Sequence, residues 1–130
     1  MGVSIFDEIL PFRNCNIIDD NPVDQPIFIA SAQDRAARVD LVIFASTDVI
    51  DHNVQLSLQV GGTVAIIGTV VVPAGAGYVG VPSVEAIAHL PLAAQGGVLV
   101  MAGDFLYAQT LEAVTATKQL TMVMLGGYLA

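Results

Sequence analysis

Residues 54–77 constrain the fold of this chain more than any other stretch. Apolar and polar side chains alternate strictly over residues 54–60 (VQLSLQV), which is the pattern of a strand with one buried face. Gly61-Gly62 follows, a dipeptide that accepts the positive φ angles of a tight turn. The return run, residues 63–72, is apolar on both faces and ends at Pro73, which cannot donate to a strand ladder. The sequence therefore predicts a β-hairpin here.

The rest of the chain repeats this short apolar pattern between turn residues. Turn signals every 8–12 residues or so are typical of a sandwich or barrel, and nothing suggests the long helices that alternate with strands in a parallel sheet. We therefore expect an all-β fold, an antiparallel β-sandwich, as a jelly roll. The further strands are predicted near residues 26–30, 38–45, 98–101, 105–113 and 118–125.

One short helix is predicted at residues 83–90. Ser83 is a suitable N-cap, Ala86, Ile87 and Leu90 have helical spacing, and Pro91 ends the segment.

The beginning of the chain has a different character. Residues 1–24 contain apolar groups without a period of their own, followed by a turn-rich acidic patch, so we expect an extended N-terminal arm. Two alternatives remain open for it: a strand laid along its own domain, or a clamp onto a neighbouring molecule. The sandwich domain is then predicted to span residues 25–130.

Charge is scarce and unevenly placed. The chain has 130 residues, 55% of them hydrophobic, and a net charge of −8, which argues against binding a phosphate backbone. Glycine and proline interrupt the long uncharged span, residues 53–84, so it is not a membrane helix. The charged residues after His52 are Glu85, Asp104, Glu112 and Lys118.

So few charges leave two explanations for the surface of the second half. It is either covered by Ser, Thr, Gln and Gly or covered by other subunits, and we favour the second because exposed apolar strands associate. The last strand supports this choice, since Val123 and Leu125 give it a second apolar face. A homo-oligomer is expected, and by analogy with other jelly rolls a trimer. The residues predicted to make such contacts are Phe6, Ile9, Leu10, Phe12, Leu120, Met122 and Met124.

Two motifs suggest ligands, and each has a simpler explanation. Residues 75–80 (GAGYVG) match the glycine pattern of a dinucleotide site, but Pro73 and Pro82 flank it, so we expect an ordinary glycine-rich loop. Asp19, Asp20 and Asp24 offer oxygen ligands for calcium, yet their spacing is not that of a calcium loop. A solvated acidic turn is the alternative, and no cofactor or metal is predicted.

No set of residues indicates catalysis. His52 and His89, even with Cys15, are too few for a zinc site, and nothing beside Cys15 except Arg13 favours its thiolate. We read Asp48, Asp51 and His52 as ordinary turn chemistry. A non-enzymatic protein is expected.

A carbohydrate-binding module is the alternative function. Sugar sites need aromatic platforms with convergent polar groups. The chain has no Trp, and its three tyrosines, Tyr78, Tyr107 and Tyr128, are expected at a core edge or a subunit seam.

Turn motifs in the second half resemble those of small structural proteins of tailed bacteriophages. The motifs are residues 60–63 (VGGT), 72–75 (VPAG), 102–105 (AGDF) and 125–127 (LGG), within a resemblance running from about residue 54 to the end. The resemblance implies a virion component, a decoration or cement protein on the capsid exterior that binds the major capsid protein. A tail or fibre part remains an alternative.

Overall fold

A computed structural model describes residues 10–20, 26–29, 36–78, 80–87 and 97–128, with the backbone alone for residues 10–14 and 26–29. Nine strands lie within these ranges and form two antiparallel sheets that pack against each other. The predicted all-β sandwich is confirmed. The strands are β1 (Leu10–Ile18), β2 (Pro26–Ile29), β3 (Ala37–Ser46), β4 (His52–Val60), β5 (Thr63–Val72), β6 (Val84–Glu85), β7 (Val98–Val100), β8 (Phe105–Thr110) and β9 (Leu120–Tyr128).

The strand order is that of a jelly roll. Sheet A has the order β1-β9-β3-β6, with β7 also paired to β3, and sheet B has the order β2-β8-β4-β5. The chain thus pairs from its ends inward: β1 with β9, β2 with β8, β3 with β6 and β7, and β4 with β5. Successive pairs alternate between the two sheets, which wraps one long folded ribbon around a single core.

The central hairpin lies where the sequence predicted it. Val60 of β4 pairs with Thr63 of β5, and Gly61 and Gly62 take φ angles of 57° and 85° in the turn. A bulge adds Ile67 to β5, between the pairs that β4 makes with Gly68 and Ile66. The bulge lets the apolar return run change which residues face the core.

The predicted helix at residues 83–90 is wrong for residues 83–86, whereas Ile87 lies in a 3-10 turn. Val84 and Glu85 form β6 and pair with Phe44 and Ile43 of β3, and the amide of Ala86 donates to Val42 at 2.7 Å. These bonds satisfy backbone groups at the edge of β3, which would have no partner if the same residues formed a helical turn. Residues 88–90 lie outside the described ranges, and no helix long and apolar enough to cross a membrane occurs within those ranges.

Part of the predicted N-terminal arm, residues 10–18, is a strand of the sandwich. β1 pairs with β9 along its whole length, from Leu10 opposite Tyr128 to Ile18 opposite Leu120. Of the two alternatives, a strand laid along its own domain is therefore the one found for this stretch. Residues 10–18 thus belong to the sandwich, although the sequence predicts its start at residue 25, and residues 1–9 and 21–25 lie outside the described ranges.

The space between the sheets holds one apolar core. It includes Phe44 of β3, Leu56 of β4, Leu106 of β8 and Met122 of β9, each 1% exposed or less. Burial of side chains this large stabilises the fold by about 1.5–3 kcal/mol each before the entropy of ordering them is subtracted.

The core also corrects part of the predicted contact surface. Leu120, Met122 and Met124 have no exposed area because they face the opposite sheet of their own chain. They cannot meet a second copy in this arrangement, whereas Val123, on the outer face of the same strand, is 38% exposed. Of the other residues predicted to make contacts, Leu10 and Phe12 lie in β1 without described side chains, and Phe6 and Ile9 lie outside the described ranges.

Candidate functional site

A buried chain of polar side chains joins the loop after β3 to the end of β8. Nε2 of His52, at the start of β4, lies 2.8 Å from Oδ2 of Asp48, and Nδ1 lies 2.6 Å from Oγ1 of Thr110. All three residues are at most 1% exposed. Because an ionised carboxylate only accepts hydrogen bonds, Nε2 is the donor toward Asp48.

Further bonds complete the surroundings of Asp48. Its carboxylate accepts the amide of Val49 at 2.7 Å and the amide of Thr115 at 2.9 Å, while its own amide donates to Oγ of Ser46 at 3.1 Å. No buried side-chain nitrogen or oxygen in the described ranges lacks a partner. A buried charge is tolerated only under such conditions.

Glu112 extends the network toward the surface. Its carboxylate accepts the backbone amide of Asn53 at 2.9 Å and also the side-chain amide of that residue. Oε2 of Glu112 lies 3.3 Å from the Thr110 hydroxyl and 3.9 Å from Nδ1 of His52. About a third of the Glu112 side chain is exposed, so the network meets solvent at this residue.

Both carboxyl groups are held in the charged form. Burial alone would raise the pKa of Asp48, but hydrogen bonds from Thr115, His52 and Val49 outweigh it and hold that pKa well below its usual value. For Glu112, burial likewise acts to raise the pKa, and the bonds from Asn53 and Thr110, with the nearby His52, lower it overall.

The order carboxylate, imidazole, hydroxyl is that of a hydrolase triad, but its placement indicates a structural role. A nucleophile must reach its substrate, and Thr110 has no exposed surface. The same bonds fix the loop between β3 and β4 against the connection between β8 and β9. We therefore interpret Asp48, His52 and Thr110 as a fastening between two connections at one end of the sandwich.

Sequence reasoning assigned Asp48 and His52 to a surface turn and missed this network. The two residues are four apart, which is visible in the sequence, but Thr110 is 58 positions from His52. Only the pairing of β4 with β8, which sets Val54 opposite Thr110, brings the hydroxyl to the imidazole. Asp51 does behave as predicted, since it is exposed and accepts the amide of Ala74 at 2.9 Å.

The glycine motif at residues 75–80 forms a tight connection between β5 and β6. Gly75, Gly77 and Gly80 all have positive φ angles, between 73° and 83°. A Cβ on Gly77 would lie 3.0 Å from Cβ of Ala45, so close packing on β3 explains that glycine. The segment leads into a strand rather than a helix, unlike the first turn of a dinucleotide fold.

The other predicted candidates lie apart from one another. Cys15 is an exposed free cysteine in β1, and Asp19 and Asp20 are exposed at the end of that strand. Among the side chains that the structure describes, no group of three or more His, Cys, Asp or Glu could hold a metal ion. Asp24 and His89 fall outside the described ranges.

A trough of about 480 Å³ runs along β4 on the outer face of sheet B. Ser57 forms its floor, and the register sets this small residue between Tyr107 of β8 and Ile66 of β5. One wall is polar, with Tyr107 and Gln109, and the other is aliphatic, with Val64 and Ile66. A small side chain between two larger ones thus creates the depression.

The outer face of sheet A is smoother and more apolar. Adjacent strands place Cys15, Val123 and Ile43 in one row. The next row holds Ile17, which is 63% exposed, with Thr121 and Ala45. These rows carry no charged side chain across β1, β9 and β3.

No family model matches the chain, and no curated protein is significantly similar to it. The features that bear on function are therefore the fold, the fastening, the trough and the outer face of sheet A.

Proposed function

We propose that this chain is a non-enzymatic structural protein of a bacteriophage virion. It decorates or stabilises the exterior of the capsid by associating with itself, as a trimer, and with the major capsid protein. The observation that carries the proposal is the apolar outer face of sheet A in a jelly-roll chain of net charge −8. An acidic chain with two uncharged rows on an exposed sheet face, bordered by Arg38, Asp40 and Glu85, is suited to bury those rows against protein and to avoid nucleic acid.

The geometry of the face supports self-association. Three strands about 4.8 Å apart, each contributing roughly nine residues at about 3.3 Å, span a nearly flat surface of roughly 400 Å². Val123 lies near its middle, on β9 between β1 and β3, where buried apolar groups contribute most to binding, and Ile17 lies at its margin, on the edge strand β1.

The polar network supports a non-enzymatic role. The one hydroxyl–imidazole–carboxylate arrangement in the described ranges is buried, and its bonds connect loops of the same molecule. A protein that reinforces a shell benefits from such fixed loops.

The direct test of the virion role is co-purification. We expect the chain to sediment with intact icosahedral shells of the phage that encodes it, and electron cryo-microscopy of those shells to show its density on the exterior. Shells whose mature form lacks the chain, or carries it only in the tail, would contradict capsid decoration.

A matched pair of variants tests the interface. Val123→Asp places a charge on the outer face of sheet A, whereas Val71→Asp places the same charge on an exposed β5 site that is 55% accessible. In light scattering coupled to size exclusion, we expect a trimer for the unmodified chain and for Val71→Asp, and a folded monomer for Val123→Asp. A trimer that survives Val123→Asp, or an unmodified chain that is monomeric, contradicts the proposed interface.

A truncation tests the N-terminal residues. Since β1 belongs to sheet A, deleting residues 1–20 would remove a strand, whereas deleting residues 1–9 leaves every described residue in place. We expect the shorter deletion to abolish shell attachment and to leave the circular dichroism spectrum and the thermal midpoint unchanged. Undiminished attachment would rule out a role for these residues.

A further inference from the structure

We propose that the trough on the outer face of sheet B is a binding site for a neutral carbohydrate chain, lying along β4. The inference does not depend on the virion role, since it concerns the opposite face of the sandwich from the proposed interface. Its support comes from the shape of the trough, its polar groups and its lack of charge.

The shape suits an extended ligand one sugar ring wide. The walls stand on β8 and β5, two strand spacings or about 9.6 Å apart, with β4 between them. The volume of about 480 Å³ lies within the range of about 300–1,000 Å³ that is usual for small-molecule sites. Because Ser57 is small, the floor lies below both walls at this position.

The polar wall is held in place by the protein. The hydroxyl of Tyr107 donates to Oε1 of Gln59 at 2.8 Å, and the Tyr107 ring lies 6.0 Å from the ring of Phe105. Nε2 of Gln109 donates to the carbonyl of Asp20 at 3.1 Å. A ring fixed in this way presents its surface at low entropic cost when a ligand binds.

The floor offers polar groups that are available to a ligand. The side chains of Gln55 and Ser57 make no hydrogen bond with the described part of the chain. An amide and a hydroxyl each donate and accept, as sugar hydroxyl groups do. Across the trough, Val64 and Ile66 are 56% and 64% exposed and can pack against the C–H face of a sugar ring.

Other occupants fit less well. An extended peptide binds a sheet by pairing with backbone groups at an edge, and the backbone of β4 is already paired with β5 and β8. A second copy packed here would have to present matching polar groups opposite Gln55 and Ser57, because a buried polar group without a partner is costly. No cationic side chain lines the trough, so an anionic glycan would find no countercharge on an already acidic protein.

The test uses defined oligosaccharides with the full-length chain. Cellohexaose, maltohexaose, laminarihexaose and N-acetylchitohexaose are neutral probes, and a hyaluronan hexasaccharide is the anionic comparison. Binding is followed by amide chemical shifts in nitrogen-15 NMR spectra, which locate the ligand and also report whether each variant is folded.

Two variants change the trough and two serve as controls. Tyr107→Ala removes the ring of the polar wall, and Ser57→Phe fills the floor from the outer face without touching the core. Their counterparts are Tyr78→Ala, at a tyrosine that is 45% exposed in the glycine-rich loop, and Gln119→Ala, at an exposed residue before β9. We expect Tyr107→Ala to weaken binding about fivefold or more, Ser57→Phe to abolish it, and the controls to bind as the unmodified chain does.

Each outcome decides the proposal. Saturable shifts centred on Gln55, Ser57 and Tyr107 with at least one neutral probe, lost in the folded Ser57→Phe variant, would establish the site. It is overturned if no neutral probe shifts these amides at millimolar concentration, if only hyaluronan does, or if the shifts lie elsewhere. Shifts at the trough that follow protein concentration instead of sugar would assign the surface to a second copy and equally refute it.

Discussion

Replacing Asp48 by alanine tests whether the buried fastening holds the sandwich together. The substitution removes the acceptor for the amides of Val49 and Thr115 and for Nε2 of His52, at distances of 2.7–2.9 Å. One buried donor, Nε2 of His52, and two partly buried amides then lose their partner, and the loss at a buried donor costs about 1–3 kcal/mol. Because hydrogen bonds to a charged group contribute about 1.5–3 kcal/mol each, we expect a total loss of about 3–5 kcal/mol. That is a large part of the roughly 5–15 kcal/mol that stabilises a domain.

The assay is reversible urea and thermal unfolding at neutral pH, followed by circular dichroism. The matched control is Asp51→Ala, at an exposed residue of the same loop whose carboxylate accepts only the amide of Ala74 among the described groups. We expect the midpoint temperature to fall by about 10–20 °C for Asp48→Ala, and the free energy of unfolding to fall by about 1 kcal/mol or less for the control. Equal effects of the two substitutions would refute the fastening.

If Asp48→Ala does not accumulate as a folded protein, Thr110→Val provides the measurement. Valine keeps the shape of threonine but leaves Nδ1 of His52 without its partner at 2.6 Å. The expected loss is about 1–3 kcal/mol, the penalty for one orphaned buried polar group. A stability equal to that of the unmodified chain would show that the hydroxyl contributes nothing to the fold.

The remaining predictions concern acid stability and backbone geometry. Asp48 and Glu112 have pKa values below those of the unfolded chain, so they add stability that is present above about pH 5 and decreases as the pH falls through about 4 and lower. The free energy of unfolding of Asp48→Asn should therefore decrease less steeply between about pH 5 and 3 than that of the unmodified chain. Urea titrations at each pH measure this free energy, and the same pH dependence for both proteins would contradict the prediction. Gly97→Ala should cost more than about 2 kcal/mol, because its φ is 151° and a Cβ would lie 2.5 Å from the carbonyl oxygen of Val39. Gly103→Ala, with a φ of 82° and open space around it, should cost about 1 kcal/mol, and equal unfolding midpoints for the two variants would refute the packing argument.

Local sequence patterns predicted the strands in which apolar and polar residues alternate over many positions. They failed for strands that form because a neighbouring strand pairs with them. The hairpin of β4 and β5 was identifiable because seven residues alternate before Gly61 and Gly62. β1 (LPFRNCNII) has no such alternation, and it is a strand because β9 pairs with it over nine residues. β6 is two residues long, too short for any period, so helical spacing nearby gave the wrong prediction.

The sites were less predictable than the fold because they combine residues from distant strands. The trough needs Ser57 of β4 between Tyr107 of β8 and Ile66 of β5. Ser57 lies opposite Ile66 only because the bulge at Ile67 shifts the pairing of β4 with β5 by one residue. The fastening needs Thr110 beside His52, which sequence distance conceals. A lone serine or histidine carries no signal of either arrangement.

The last strand shows why a pattern can identify a surface and still assign its faces wrongly. Alternation in β9 establishes two apolar faces but not which of them packs inside, because a shift of one residue exchanges them. The pairing with β3 decides: Met122 lies opposite Phe44 and Met124 opposite Val42, so these residues share the core face. Val123 then lies opposite Ile43 on the outer face. A partner that binds the outer face of sheet A would contact this outer set, so the interface that we propose lies one residue away in sequence from the positions first predicted.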